Sequence, residues 1–218
     1  KPVSSFIYRN DSKNGKAHFT DVTSSVAKTL NKVGLVCDAV WTDFDNDGWQ
    51  DLVLTGEWMS ILFYKNNKGT FEDVSASSQI ADKKGWWNFV LPYDIDNDGD
   101  IDLVAGNLGL NSRLKASDKE PVRLYYNDFD SNGKKEQVLT YYLGDRELPF
   151  ANKMELEKQM PVLKKQFLYA ADFAKASLSE LFDKEKLNSA DVLTADDFAN
   201  TVFINKGNLN FEAHPLPF

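Results

Sequence analysis

The stretch that decides the fold is DFDNDGWQD, from Asp43 to Asp51, which lies between the apolar segments AVW and LVLTG. It carries four carboxylates within nine residues, and its flanks are rich in residues that favour β-strands. Like charges a few ångströms apart repel each other unless a cation lies among them. The stretch therefore predicts a cation-binding loop between two strands.

The acidic pattern D-x-D-x-[DN]-G-x-x-[DE] occurs three times in the chain. We call the segment 43–51 the first loop, DIDNDGDID at 94–102 the second loop and DFDSNGKKE at 128–136 the third loop. A single copy could be a solvated turn, but three copies with glycine at position 6 and an acid at position 9 favour a repeated binding site. Positions 1, 3, 5 and 9 of the loops carry eleven carboxylates, enough to account for the net charge of −8.

The donors in these loops point to calcium. Side-chain oxygens at positions 1, 3, 5 and 9 converge on one point if the loop wraps around it, and the glycine permits the sharp turn. Oxygen-only ligands favour calcium over zinc or copper, and flexible loop ligation favours it over magnesium. Up to three ions are expected. The predicted side-chain ligands are Asp43, Asp45, Asp47 and Asp51; Asp94, Asp96, Asp98 and Asp102; and Asp128, Asp130, Asn132 and Glu136, while Trp49, Asp100 and Lys134 at position 7 are predicted to contribute their backbone carbonyls.

The EF-hand is the main alternative for such a loop, and the sequence argues against it. An EF-hand needs a bidentate Glu at position 12 and a helix on each side. Position 12 is occupied by Leu54, Ala105 and Leu139, and the flanking segments are rich in strand formers. The sites are therefore predicted to join strand to strand.

Hairpin patterns show how the loops are arranged. The segments 6–23, 61–75 and 201–214 each give an apolar strand, an Asn/Gly turn and a second strand that opens with Phe. The first two acidic loops recur with a period near 50 residues, which is typical of propellers with one four-stranded unit per repeat. The third loop comes sooner, and aligning VRLYYN on ILFYKN places it in the outer hairpin of the second unit.

These loops and the N-x-x-G-x-F hairpins resemble the FG-GAP and VCBS repeat proteins, including the ASPIC/UnbV-type bacterial proteins and, more distantly, the integrin α-subunit head. The resemblance covers roughly residues 1–142 and 201–213. It implies a β-propeller, commonly seven-bladed, with calcium in the loop that joins two strands of a blade. The integrin-type loop prefers an apolar residue at position 7, which Trp49 provides but Asp100 and Lys134 do not. The chain is thus nearer the bacterial VCBS branch.

The expected fold is mainly β, a partial β-propeller of about three blades out of seven with a helical insertion. The segment PVLKKQFLYAADFAKASLSELF is expected to form one amphipathic helix, with a short helix around SADVLTADDF. This insertion either packs on its own blade or docks a partner. The natural polypeptide is expected to continue and complete the propeller. The expected parts are a terminal hairpin at 1–23, blades at 34–75 and 86–142, and a blade at 143–218 that contains the helical insertion at about 150–200.

Composition excludes several functions. The net charge of −8 argues against nucleic-acid binding, and no run of eighteen apolar residues predicts a membrane span. His18 and His214 lie in no nucleophile motif, and nothing in the sequence sets the separation of Glu57, Asp145 and Glu147 as a glycosidase pair. We therefore expect no enzymatic activity.

The expected function is that of a calcium-binding repeat module that binds protein or glycan in a secreted or cell-surface protein. Extracellular calcium loops typically bind at about 10⁻⁴–10⁻³ M, which favours a location outside the cytoplasm: secreted, periplasmic or on a bacterial cell surface. Trp58, Trp86 and Trp87 could stack on sugar rings or fill the core. The alternatives are an accessory domain of a polysaccharide-degrading enzyme and a purely structural scaffold.

Overall fold

The computed structural model describes residues 2–217, which form several antiparallel β-sheets and a few short helices. None of the helices in this range has the length and apolar character that a membrane crossing needs. The strands are β1 (Tyr8–Asn10), β2 (Phe19–Asp21), β3 (Leu35–Thr42), β4 (Asp51–Met59), β5 (Leu62–Asn67), β6 (Thr70–Asp73), β7 (Gly85–Trp86), β8 (Phe89–Tyr93), β9 (Asp102–Gly106), β10 (Val122–Asn127), β11 (Glu136–Leu143), β12 (Arg146–Pro149), β13 (Asp191–Ala195), β14 (Thr201–Asn205) and β15 (Phe211–Pro215).

The helices are short. They are α1 (Thr23–Val26), α2 (Lys153–Gln159), α3 (Val162–Gln166), α4 (Ala170–Lys175), α5 (Leu178–Leu181) and α6 (Lys184–Asn188), with 3-10 turns at Lys28–Leu30 and Ser75–Ser77. The chain divides into two compact units. Unit 1 runs up to Asn111 and resumes at Phe198, and unit 2 is Ser112–Asp197.

Sheet I in unit 1 is a meander in the order β3-β4-β5-β6, and β7 pairs with the far end of β4. Its inner strand β4 is buried at its first six residues, as expected for a strand with neighbours on both sides. On the side of sheet I that carries Leu52 and Tyr64, a second core forms with Ala27 and Leu30, which follow the β1–β2 hairpin.

Sheet II in unit 1 has the order β15-β14-β9-β8. Sheets I and II share one hydrophobic core, which includes Val53 and Phe63 of sheet I, Val90 and Phe203 of sheet II, and Trp87 from the connection between the sheets. Truncating one of these buried aromatic residues to alanine would cost about 3–5 kcal/mol.

The pairing of β14 corrects the predicted third blade at 143–218. Val202 lies opposite Val104, and Phe203 opposite Leu103, so β14 and β15 complete the sheet that β8 and β9 begin. The physical reason is that β9 has a free edge after β8 pairs on one side, and β14 supplies its hydrogen-bond partners. The predicted blade at 86–142 is wrong for the same reason, because its outer two strands come from residues 201–215.

Unit 2 has its own sheet III, in the order β12-β11-β10-β13, and the third loop joins β10 to β11. The third loop was predicted to lie in the outer hairpin of the second blade, and this is corrected because β10 pairs with β13 and not with β9. β13 also overturns the short helix expected around SADVLTADDF. Here β-branched residues pair across the sheet, with Val192 opposite Tyr125 and Thr194 opposite Arg123.

The single amphipathic helix predicted after Pro161 is wrong, since α3, α4 and α5 are separate. The backbone is extended at Phe167 and at Ala176, and Ser177 starts α5 with its own capping box. Phe173 and Ala176 are buried, whereas Ala170 and Ala174 are exposed. The five short helices α2–α6 supply a core of unit 2 together with sheet III, centred on Leu156, Met160, Leu163, Leu181 and Phe182.

Candidate metal centres

The three acidic loops share one backbone conformation. The residues at position 4, Asn46, Asn97 and Ser131, have φ angles of 57°, 60° and 60°. The glycines at position 6 have φ angles of 86–95°, a region that residues with a side chain rarely adopt. Two left-handed residues two positions apart turn the chain sharply, which explains the glycine in each copy.

The aspartate at position 1 holds this turn together. In the first loop, Asp43 accepts hydrogen bonds from the backbone N–H of Asp47 at 3.1 Å and of Gly48 at 2.9 Å. Asp94 and Asp128 accept the equivalent pair in the second and third loops. The position-1 carboxylate is therefore fixed at the mouth of each loop.

The acid at position 9 is buried and reaches back across the loop. Asp51 and Asp102 are 0% exposed and Glu136 is 6% exposed. Asp51 accepts from the N–H of Phe44 at 3.1 Å, and Glu136 accepts from that of Phe129 at 2.8 Å. Each buried acid thus closes the loop from the start of the second strand, and the longer Glu side chain makes the same contact as Asp.

Positions 1, 3 and 9 meet in space in every loop. One carboxylate oxygen from each of the three residues lies within 4.8 Å of the others in each of three groups. The groups are Asp43, Asp45 and Asp51; Asp94, Asp96 and Asp102; and Asp128, Asp130 and Glu136. Three acids that meet at one point form an arrangement that can hold a metal ion.

The other predicted ligands are placed differently. At position 5, an oxygen of Asp47, Asp98 or Asn132 accepts from the N–H of the residue at position 7, at 2.8–2.9 Å. Asp47 and Asp98 are not among the converging carboxylates. The position-7 residues Trp49, Asp100 and Lys134 meet their loops through these N–H groups.

Two asparagines that the sequence analysis treated only as turn residues support the buried acids. The N–H of Asn66 donates to Asp51 at 2.7 Å, and the N–H of Asn205 donates to Asp102 at 2.8 Å. Each side-chain oxygen then accepts from the glycine that turns its hairpin, Gly69 or Gly207. The asparagine two or three residues before the hairpin glycine was the available signal.

The first and second loops also contact each other. The side-chain amide of Asn46 donates to Asp100 at 2.8 Å and to the carbonyl of Gly99 at 3.2 Å. The amide of Asn205 donates to the carbonyls of Phe44 and Ile101, both at 3.1 Å. The two centres of unit 1 are therefore parts of one hydrogen-bonded network.

The first loop contains a cation from the protein itself. Lys65 on β5 forms ion pairs with Asp45 and, at 2.7 Å, with Asp47. The hydrogen bond from Lys65 lowers the pKa of the Asp47 carboxyl. The ammonium group of Lys65 lies between two loop acids and neutralises part of the negative charge that a metal ion would neutralise. It is therefore a stand-in cation for this centre.

Burial has the opposite effect on the acids at position 9. It raises the pKa of the Asp51 carboxyl above its ordinary value, although the N–H donors of Asn66 and Phe44 lower it. Burial also raises the pKa of the Glu136 carboxyl. Neighbouring loop carboxylates add to both increases. A bound cation would lower the pKa of these acids and keep them ionised.

The residues present fit a hard cation. Every converging donor is a carboxylate oxygen, the acids at position 9 are desolvated, and a lysine lies in one centre as a stand-in. Calcium or magnesium suits such a donor set, and zinc or copper does not.

The other candidate residues, the tryptophans and Glu147, make contacts within the fold. Trp87 is fully buried and Trp86 packs between Trp58 and Phe198, with ring centroids 5.0 Å and 5.1 Å apart. In unit 2, Glu147 accepts hydrogen bonds from Arg123 at 2.7 Å and from Thr140 at 2.6 Å. Trp87 has no surface to offer a sugar ring, and both oxygens of Glu147 are already bonded.

Residues 43–105 match the family model described as the FG-GAP-like repeat. The match begins at the first residue of the first loop, includes β4 to β8 and the second loop, and ends in β9. No curated protein and no solved structure matches the chain significantly. The resemblance drawn from the acidic loops is therefore confirmed over this segment.

Proposed function

We propose that this chain, which carries an FG-GAP-like repeat, is a calcium-binding repeat module that acts by binding and not by catalysis. The observation that carries the proposal is the meeting of three carboxylates, from positions 1, 3 and 9, in each of three loops. Oxygen-only donors on flexible loops favour calcium, and up to three ions bind.

The ion acts as a local cross-link. When bound, calcium supplies the positive charge that the crowded carboxylates lack. In the first loop, Asp43 holds the turn, Asp45 comes from its exposed rim and Asp51 from the start of β4, so the ion ties the turn to the strand. The second and third loops repeat this arrangement, and the metal stabilises the connection between two strands of each sheet.

We also propose that sheets I and II are neighbouring blades of a β-propeller. Each sheet has a path of four antiparallel strands in a meander-like order, to which sheet I adds β7, and each has an acidic loop between its first two strands. The supporting asparagine occupies the third strand in both sheets, as Asn66 and Asn205. This internal repetition is the pattern of a propeller.

The exposed side chains of sheet II support a further blade. Val53 and Phe63 of sheet I belong to the core between the sheets. Counted from the acidic loop and from the supporting asparagine, their equivalents in sheet II are Val104 and Val202, which are only half-buried. On the adjoining strand, Leu91 is 56% exposed. Another sheet of the same kind would cover this face as sheet II covers sheet I.

The proposed function also includes a cellular location and a binding partner. We assign the module to a secreted, periplasmic or cell-surface protein, where free calcium is high enough for loops that bind at about 10⁻⁴–10⁻³ M. Its target is a protein or a glycan.

The experiment is thermal unfolding of metal-free protein with calcium, with magnesium and with chelator. Calcium should raise the melting temperature, since each site stabilises by about 2.7 kcal/mol at a hundredfold excess over its dissociation constant. The matched control replaces the exposed or half-exposed position-3 acids with alanine (D45A/D96A/D130A), which removes one ligand per centre and leaves the buried acids in place. An equal melting temperature with calcium and with chelator in the wild type would refute the proposal.

A further inference from the structure

Lys65 makes the first loop different from the second. Its ammonium group pairs with Asp45 and with Asp47 at 2.7 Å, and its side chain is only 29% exposed. Lys65 immediately precedes the supporting Asn66, and the residue that precedes the supporting Asn205 in sheet II is Ile204. The same position of the repeat thus carries a cation in one sheet and an apolar side chain in the other.

The consequence for the position-5 carboxylates is direct. In the first loop, both oxygens of Asp47 have partners, since Oδ1 accepts from the N–H of Trp49 and Oδ2 from Lys65. In the second loop, Oδ1 of Asp98 accepts from the N–H of Asp100, and within residues 2–217 its Oδ2 has no partner. A metal ion entering the first loop meets an acid that is already neutralised.

The other loops have less competition from lysine. Lys206 lies 3.3 Å from Asp96 in the second loop, with its side chain 42% exposed, and makes one ion pair there instead of two. Lys135, at position 8 of the third loop, pairs with Asp191 on β13. Among the described residues, no lysine pairs with an acid of the third loop.

We propose that Lys65 is a built-in competitor for calcium at the first loop: it occupies the position-3 and position-5 carboxylates in the metal-free protein and must be displaced when the ion binds. This inference rests on the proposed calcium binding. It makes the first loop a weaker site than the second, although the two have the same acids at positions 1, 3, 5 and 9. Lys65 also keeps the first loop ordered at calcium concentrations that are too low for an ion to bind there.

The size of the effect follows from the exposure of the two ion pairs. Both ion pairs are partly exposed, so losing both to the incoming ion weakens binding roughly tenfold. The effect falls with added salt, because salt screens exposed charges.

The test uses calorimetric calcium titration of the full chain in a background that isolates the first loop. The substitutions D96A and D130A remove one ligand from the second and third loops. In this background, Lys65→Met keeps the aliphatic stem and should tighten calcium binding about tenfold, whereas Lys65→Arg keeps the charge and should leave affinity near that of the background. Lys16→Met, on an exposed lysine of the β1–β2 hairpin, makes the same change in net charge and should leave affinity unchanged.

The outcomes separate this inference from the proposed function. Unchanged or weaker binding in Lys65→Met overturns the inference while calcium binding itself stands. No binding to the background or to its Lys65→Met variant, while the wild type binds ions, overturns it as well. No calcium binding to the wild type refutes the proposed function. An equal gain in Lys16→Met would assign the effect to net charge and not to the position of Lys65.

Discussion

The side-chain amide of Asn205 lies 3.1 Å from the carbonyl oxygen of Phe44, although 161 positions separate the two residues. The same amide donates to Ile101, and the backbone N–H of Asn205 donates to Asp102. One residue of the last hairpin thus joins both acidic loops of unit 1. These contacts form although unit 2 lies between the two residues in the sequence.

Replacing Asn205 should affect two centres at once. Asn205 is 1% exposed, so N205A leaves the carbonyls of Phe44 and Ile101 without a donor and should destabilise the metal-free protein by about 1–3 kcal/mol. Calcium affinity should fall at the first and second loops. Denaturant unfolding and calcium titration measure the two effects.

Asn66 is the matched control for Asn205. Its amide donates to the carbonyl of Gln50 alone, so N66A should weaken the first loop and leave the second unchanged. If N205A lowered affinity at one loop only, the two centres would not be linked in the way the hydrogen bonds indicate.

Calcium binding should depend on pH through the buried acids. The pKa of Asp51 and that of Glu136 are raised by burial in the metal-free protein, so the folded state favours their protonated forms. Without calcium, their contribution to stability is fully present below the unfolded pKa values, near 3.8 and 4.5, and is lost as pH rises through the raised folded values. Calcium needs the ionised forms, so its affinity should rise with pH over the same window.

Titrations at several pH values in buffers of different ionisation enthalpy measure this directly. Binding should release protons in acid, and fewer as rising pH ionises the acids. Affinity that stays constant as pH rises above the unfolded pKa values would show that Asp51 and Glu136 are not ligands.

The third loop should respond to a single added charge. It carries Asn132 at position 5, where the other loops have Asp, and should therefore bind calcium more weakly than the second loop, since affinity follows the charge count of the ligands. N132D restores the full set of acids and should tighten binding at this loop several-fold. S131A, one position earlier, provides a control that leaves the charge unchanged. Weaker binding in N132D would mean that repulsion among the acids outweighs attraction for the ion.

Unit 2 should be removable. The N–H of Gly109 donates to the carbonyl of Phe198 at 2.8 Å, so the chain leaves unit 1 and returns to it at neighbouring points. Replacing residues 112–197 with a short Gly/Ser linker should leave sheets I and II folded, with two calcium ions bound instead of three. Circular dichroism and calcium stoichiometry test this, and loss of cooperative unfolding would show that unit 1 needs unit 2.

The local patterns of the sequence predicted local structure well. The spacing of the acidic loops and their strand-forming flanks identified three strand-loop-strand elements. This was possible because glycine at position 6 and alternating apolar residues determine the conformation of the chain only a few positions away. The converging acids at positions 1, 3 and 9 follow from the same local geometry.

What the sequence could not give were the distant pairings. The return of β14 to β9 after unit 2 depends on edge hydrogen bonds, and no local pattern specifies which edge a strand joins. The helical spacing of residues 161–182 was misleading for a related reason. Apolar residues at three- and four-residue steps also fit a series of short helices, and the capping box at Ser177 restarts the helix. Lys65 was missed because its partners come from another strand-loop element.

The central claim is that the three loops are calcium sites, and an anomalous difference map from crystals grown with calcium tests it most directly. We expect one peak in each loop, at about 2.3–2.6 Å from carboxylate oxygens of positions 1, 3 and 9. The peak in the first loop should coincide with a Lys65 side chain that has moved away from Asp47. Loops that retain their present conformation without a peak at saturating calcium would contradict the account.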